Sequence, residues 1–130
     1  MLFHTFKTRE ERRSYGSSFI EIQFCDMPKR SQIKELVSVD NIRSGRNDSL
    51  YVHEDDDEAF FREYSRVFDC GTYNNLETGV VDLCGINYYA PSLIDSTLEK
   101  LRAEKPRGCE VLAAWLACAK EHNGFYILGL

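Results

Sequence analysis

Three histidines, five cysteines and one dense acidic run are the side chains of this chain most able to do chemistry. The histidines are His4, His53 and His122, and no two stand in the H-x-x-x-H or H-E-x-x-H spacing that puts paired imidazoles on one helical face for zinc. His53 is followed directly by Glu54-Asp55-Asp56-Asp57-Glu58. A histidine beside carboxylates has the donor types for zinc or manganese. Adjacent residues of a helical turn point in different directions, however, so five neighbours cannot converge on one ion. No metal and no cofactor is expected. The run reads as a solvated helix start, where acids suit the positive end of the helix dipole.

The cysteines, Cys25, Cys70, Cys84, Cys109 and Cys118, are odd in number and form no C-x-x-C pair, unlike the even framework of a small secreted domain. They read as reduced thiols. Phe24-Cys25, Leu83-Cys84 and Ala117-Cys118 place three of them beside apolar or small residues, the setting of cysteine used as a small core residue. One alternative arrangement is nucleophilic: Cys84 at a strand end, His53 or His122 as its base, and a cleft beside Tyr88-Tyr89. No spacing in the sequence joins these residues. The G-x-S-x-G elbow and both glycine-rich phosphate loops are missing. No catalytic residue is assigned, and the chain reads as a binding protein rather than an enzyme.

Charge narrows the partner. The 16 Lys+Arg and 21 Asp+Glu residues give −5, which argues against a nucleic-acid binder. Residues 1–50 sum to +2, residues 51–82 to −7 and residues 83–130 to zero, so the excess negative charge is concentrated in one segment. Two late helices superficially suggest a helix-turn-helix. The second carries Cys109-Glu110-Val111-Leu112-Ala113-Ala114-Trp115-Leu116, too apolar to read base edges. Arg9, Arg12 and Arg13 are interrupted by Glu10 and Glu11 and read as self-pairing charges rather than a nucleic-acid patch. No run approaches the length of a membrane-spanning helix, and Met1–Lys7 lacks the apolar centre of a signal peptide. A cytosolic protein without a membrane partner is expected.

The elements that must position these groups follow from periodicity. Residues 1–15 read as a strand and a loop. Ile20, Ile22 and Phe24 alternate with Glu21 and Gln23, predicting a half-buried strand over 18–25. Residues 31–39 predict a short helix capped by Ser31, with Ile33, Leu36 and Val37 on one face, and 40–48 a mobile loop. Leu50–Val52 is a brief strand. Phe60, Phe61, Tyr64, Val67 and Phe68 form a helical stripe stopped by Gly71. Thr78–Cys84 predicts a second main strand, with 85–89 extending it or turning into a partner. Pro91 opens a helix in which Ser92 and Asp95 form a capping box and Ile94, Leu98 and Leu101 face the core. A last helix spans 109–122, with Val111, Leu112, Trp115, Leu116, Cys118 and Ala119 as its buried stripe. Phe125–Leu130 is a buried strand in the sheet interior. The fold class is α/β or α+β: one globular domain over 1–130, a mixed β-sheet covered by three to four helices, and a buried C-terminal strand.

A small domain with a −7 segment beside turn-rich loops suits capture of a basic protein, because opposite charge steers association. Nucleases are such partners, since their clefts are positive to hold phosphates. The expected contact residues are Glu54, Asp55, Asp56, Asp57 and Glu58, with Asp69 and Glu77. The chain also resembles the cytoplasmic immunity proteins of bacterial contact-dependent inhibition and related polymorphic toxin systems. The resemblance lies in Gly85-Ile86-Asn87-Tyr88-Tyr89-Ala90-Pro91, Trp115-Leu116 and Asn123-Gly124-Phe125-Tyr126-Ile127-Leu128-Gly129-Leu130. It implies neutralisation of a cognate toxin domain by tight binding. That class shares no catalytic motif, so the resemblance assigns no functional residue.

Overall fold

A computed structural model describes residues 1–130. Six strands form one sheet: β1 Phe19–Phe24, β2 Leu50–His53, β3 Gly71–Tyr73, β4 Thr78–Gly79, β5 Ile86–Tyr89 and β6 Phe125–Leu128, in the order β2-β1-β6-β5-β3-β4. All five strand pairings are antiparallel, so the sheet is not mixed in strand direction. The helices are α1 Arg9–Tyr15, α2 Ile33–Leu36, α3 Asp57–Tyr64, α4 Ile94–Glu104 and α5 Cys109–Ala119. The domain is mixed α and β, with β6 in the sheet interior as expected.

Strand alternation divides the molecule into two cores. Ile20, Ile22, Phe24, Leu50, Val52, Phe125, Ile127 and Tyr89 project to one face, where they meet buried residues of α3, α4 and α5 in a cluster of 21 residues. Trp115 of α5 stacks on Phe24 at 4.0 Å between ring centroids. Tyr126, Tyr88 and Leu128 project to the other face and join Cys25, Leu36 and Val37 in a cluster of six.

Several expectations are corrected. The first fifteen residues form no regular strand. His4 makes a single bridge to Tyr51 of β2, and Thr8 then caps α1 by accepting the Glu11 N–H. Strand β1 is buried on both faces: Glu21 and Gln23 are only 4% and 3% exposed. The Thr78–Cys84 strand shrinks to two edge residues, because the Asp82 carboxylate accepts the Cys84 N–H at 2.9 Å and turns the chain. The main strand in this region is β5. Residues 65–67 coil tightly after α3, with the Phe68 N–H bonded to the Tyr64 carbonyl. Gly71 therefore begins β3 rather than ending the helix, and a Cβ there would meet the Tyr89 ring at 2.8 Å.

The caps also shift. Glu35 accepts the Gln32 N–H at 2.8 Å, so α2 starts from Gln32 and not Ser31, and Ile33 is exposed. A single 3-10 turn over Pro91–Leu93 precedes α4, and Ser92 does not cap it. Helix α5 ends at Ala119, and its ends leave Val111 and Cys118 exposed. Cys84 is exposed as well, so of the three thiols expected in the core only Cys25 is buried. All five cysteines are free.

Candidate functional site

The acidic run begins where β2 leaves the edge of the sheet. Glu54–Asp56 form a 3-10 turn that leads directly into α3. His53 caps this turn: its Nδ1 accepts the Asp55 N–H at 3.1 Å, which leaves Nε2 as the protonated nitrogen of the neutral ring. The imidazole is held by Phe19 and Tyr15, both edge-on to it at 5.4 and 6.1 Å. Gly16 allows this close seating, since a Cβ there would stand 2.6 Å from His53 Nε2. Glu54, Asp55 and Glu58 are exposed, and Asp56 and Asp57 are half-buried. None of the five carboxylates lies within 4 Å of a lysine or arginine nitrogen; His53 Nδ1 is 3.5 Å from an Asp55 oxygen, but it accepts the Asp55 N–H and offers that carboxylate no proton. Unpaired negative charge is thus collected at one place.

Beside the run is a cleft of about 470 Å³ lined by His4, Tyr15, His53, Asp55, Asp56 and Met1. Its aromatic wall was missed in the sequence because the scattered rings of residues 1–15 have no period. They are gathered by the His4–Tyr51 bridge and by α1, which bring Phe6, Tyr15 and His4 together. Rings next to carboxylates suit a cationic side chain, which gains from both the ring face and the charge.

His4 titrates below its ordinary value of 6.5, first because burial disfavours the charged imidazole, with the Asp56 charge pulling the other way. The unfolded chain therefore takes up a proton at this position before the folded one does. The stability that His4 contributes is present above about pH 6.5 and is lost as pH falls through its lowered folded value. Urea denaturation between about pH 7.5 and pH 5 should show this fall, and His4→Gln should flatten it. An equal slope in the variant would place the acid sensitivity elsewhere.

The other expected contact residues do not join the run. Asp69 lies beyond the far end of α3 and pairs with Lys100 of α4 at 2.5 Å, which holds its carboxyl below the usual range despite partial burial. Glu77 sits in the β3–β4 hairpin, where its amide N–H bonds to Asn75. That hairpin is at the opposite edge of the sheet from β2, roughly 24 Å away at about 4.8 Å per strand spacing.

Nor does the fold assemble the thiol cleft. His53 is on edge strand β2, whereas Cys84 precedes β5, three strands away in the sheet order. Tyr88 and Tyr89 point to opposite faces, and both are buried. Tyr88 donates to the Asn123 carbonyl at 2.7 Å, while the Tyr89 hydroxyl has no partner. His122 pairs with Asp26 through Nδ1 at 2.7 Å and stacks on Phe24. Burial raises the Asp26 pKa, but the His122 hydrogen bond and the Arg46 guanidinium outweigh it and hold the carboxyl below the usual range. No group of three or more His, Cys, Asp or Glu side chains is arranged to hold a metal ion. No helix is long and apolar enough to cross a membrane.

A second charged centre was also missed. The buried Glu21 carboxylate accepts four hydrogen bonds: Gly45 N–H at 2.7 Å, Arg46 N–H at 3.1 Å, Ser49 Oγ–H at 2.6 Å and the Gln23 amide at 3.0 Å. This ties down the loop over 40–48 that the composition marks as mobile. The loop then carries Arg46 to Asp26 and the Asp48 carbonyl to Trp115 Nε1. Alternation alone placed Glu21 on a wet face. In a comparison with known proteins, no family model, curated protein or solved structure matches the chain.

Proposed function

We propose that the chain is a protein-binding module, an immunity or inhibitor protein that neutralises a basic, nuclease-like toxin domain by tight non-covalent binding. The observation that supports this most directly is the run Glu54–Glu58, presented at the start of α3 with no cationic partner of its own. Such a surface favours a positive partner at long range and accelerates its encounter. The adjoining cleft of His4, Tyr15 and His53 offers a seat for one of its lysine or arginine side chains. The resemblance of the second half of the chain to immunity proteins points the same way.

Affinity capture from a native lysate, at low and at high salt, tests the proposal. A stoichiometric basic protein, bound less at high salt, is expected. With that protein in hand, the variant Asp55→Lys, Asp56→Lys, Asp57→Lys should associate about a hundredfold more slowly at low salt, within the range that electrostatic steering commands. The variant should stay folded but unfold at a somewhat lower temperature, because the lysines face the positive end of α3 while no ion pair to a lysine or arginine is lost. An unchanged association rate would remove the acidic surface from the proposal, and a captured partner without positive charge would overturn it.

A further inference from the structure

Helices α4 and α5 meet at a tight turn over Lys105–Gly108, and the groove between them is unused by the acidic surface. Its volume is about 520 Å³, within the range of small-ligand sites. Leu98, Leu101, Pro106 and Ala113 form its apolar walls. Three cations, Arg102, Lys105 and Arg107, stand on its rim against one acid, Glu110. Arg107 is shared with Glu63 at 3.6 Å, but neither Arg102 nor Lys105 has a carboxylate within 4 Å. A chain that is negative overall thus places free positive charge around an apolar slot.

The backbone adds an independent sign. Lys105 occupies the left-handed region at φ 48° and ψ 51°, where it closes α4. Glycine is the residue that fits this C-terminal position without strain. A lysine here carries a backbone cost that glycine would avoid, and it delivers a cation to the groove.

We infer that the α4–α5 groove is a binding site for an amphipathic anion, with an apolar chain lying between the partly exposed Leu98 and Ala113 over the buried Leu101, and a carboxylate or phosphate head held by Arg102 and Lys105. Apolar contact supplies affinity and the two cations fix the orientation of the head. The site is independent of the toxin-binding proposal, since it shares no residue with Glu54–Glu58.

Dodecanoate below its micellar concentration is the probe, followed by calorimetry and by amide NMR shifts. Saturable binding is expected with a dissociation constant below about 1 mM, with shifts centred on α4 and α5. Dodecyltrimethylammonium, which has the same tail and the opposite head charge, should bind at least about tenfold more weakly. The half-buried Cys109 thiol lies in the groove wall, so its alkylation by iodoacetamide should slow when dodecanoate is bound. Lys105→Gly should fold at least as well as the unmodified chain yet lose about tenfold in affinity, and Ala113→Phe should fill the slot and abolish binding. Phosphatidylglycerol vesicles distinguish a membrane headgroup from a free anion: vesicle binding without dodecanoate binding overturns the inference. So does equal binding of the cationic detergent, or Lys105→Gly binding that is unchanged.

Discussion

Gly124→Ala is expected to leave little folded protein at 37 °C. Gly124 has φ +80°, and a Cβ built on it would sit 2.0 Å from the Tyr89 carbonyl oxygen. Two costs add. The left-handed conformation alone costs an L-residue roughly 1–2 kcal/mol. The clash is with backbone, so relief requires β5 and β6 to separate where Tyr89 pairs with Phe125. Those two rings stack at 4.8 Å on the principal core. The same turn supplies the Gly124 carbonyl that accepts the Cys25 N–H. A total loss of about 4 kcal/mol or more is expected, a large part of the stability of a domain this size. Circular dichroism and urea denaturation measure it. A loss below about 1 kcal/mol would mean that the β5–β6 junction is far more plastic than its geometry implies.

Glu21→Ala is expected to be the second most damaging substitution. It removes the acceptor for two backbone N–H groups, one hydroxyl and one amide, all in or beneath the loop over 43–49. Orphaning a buried donor costs on the order of 1–3 kcal/mol, partly recovered where water enters. A net loss of about 3 kcal/mol is expected, again read from urea denaturation. Amide exchange should increase at Gly45 and Arg46 in particular. Arg46 would lose its aim at Asp26, and Trp115 its bond to the Asp48 carbonyl, so indole fluorescence should report the same event. Glu21→Gln is the milder control, because the amide keeps one strong acceptor oxygen.

These two positions show what the sequence made legible and what it hid. Strands β1, β2 and β6 and helices α3, α4 and α5 announce themselves through strong alternation, helical stripes or long apolar runs, so their existence was readable. Glu21 obeyed the same alternation and misled it. Period two distinguishes the faces of a strand, but it does not say whether the polar face meets water or a loop that returns over it. The edge strands β3 and β4 have only three and two residues, too few to carry a period, and the Asp82 turn that shortens β4 depends on a local side-chain bond. The acidic surface was legible because charge density survives any fold. The aromatic wall beside it was not, since His4, Phe6 and Tyr15 meet through a single bridge and a helix of seven residues.

The position of β6 has a consequence for how the molecule is made. It lies between β1 and β5, pairing Glu21 with Leu128 and Ile86 with that same leucine. A ribosome delivers β6 after every other strand and helix of the domain. Until then β1 has only β2 to pair with on that side of the gap, and the apolar faces of α4 and α5 have half a sheet to cover. The domain therefore closes as a zipper whose middle teeth arrive last. Contacts so distant along the chain favour slow folding that waits until β6 has been made. During that wait the unpaired edges of β1 and β5 are exposed strand templates, and chaperone dependence should be strongest in that interval.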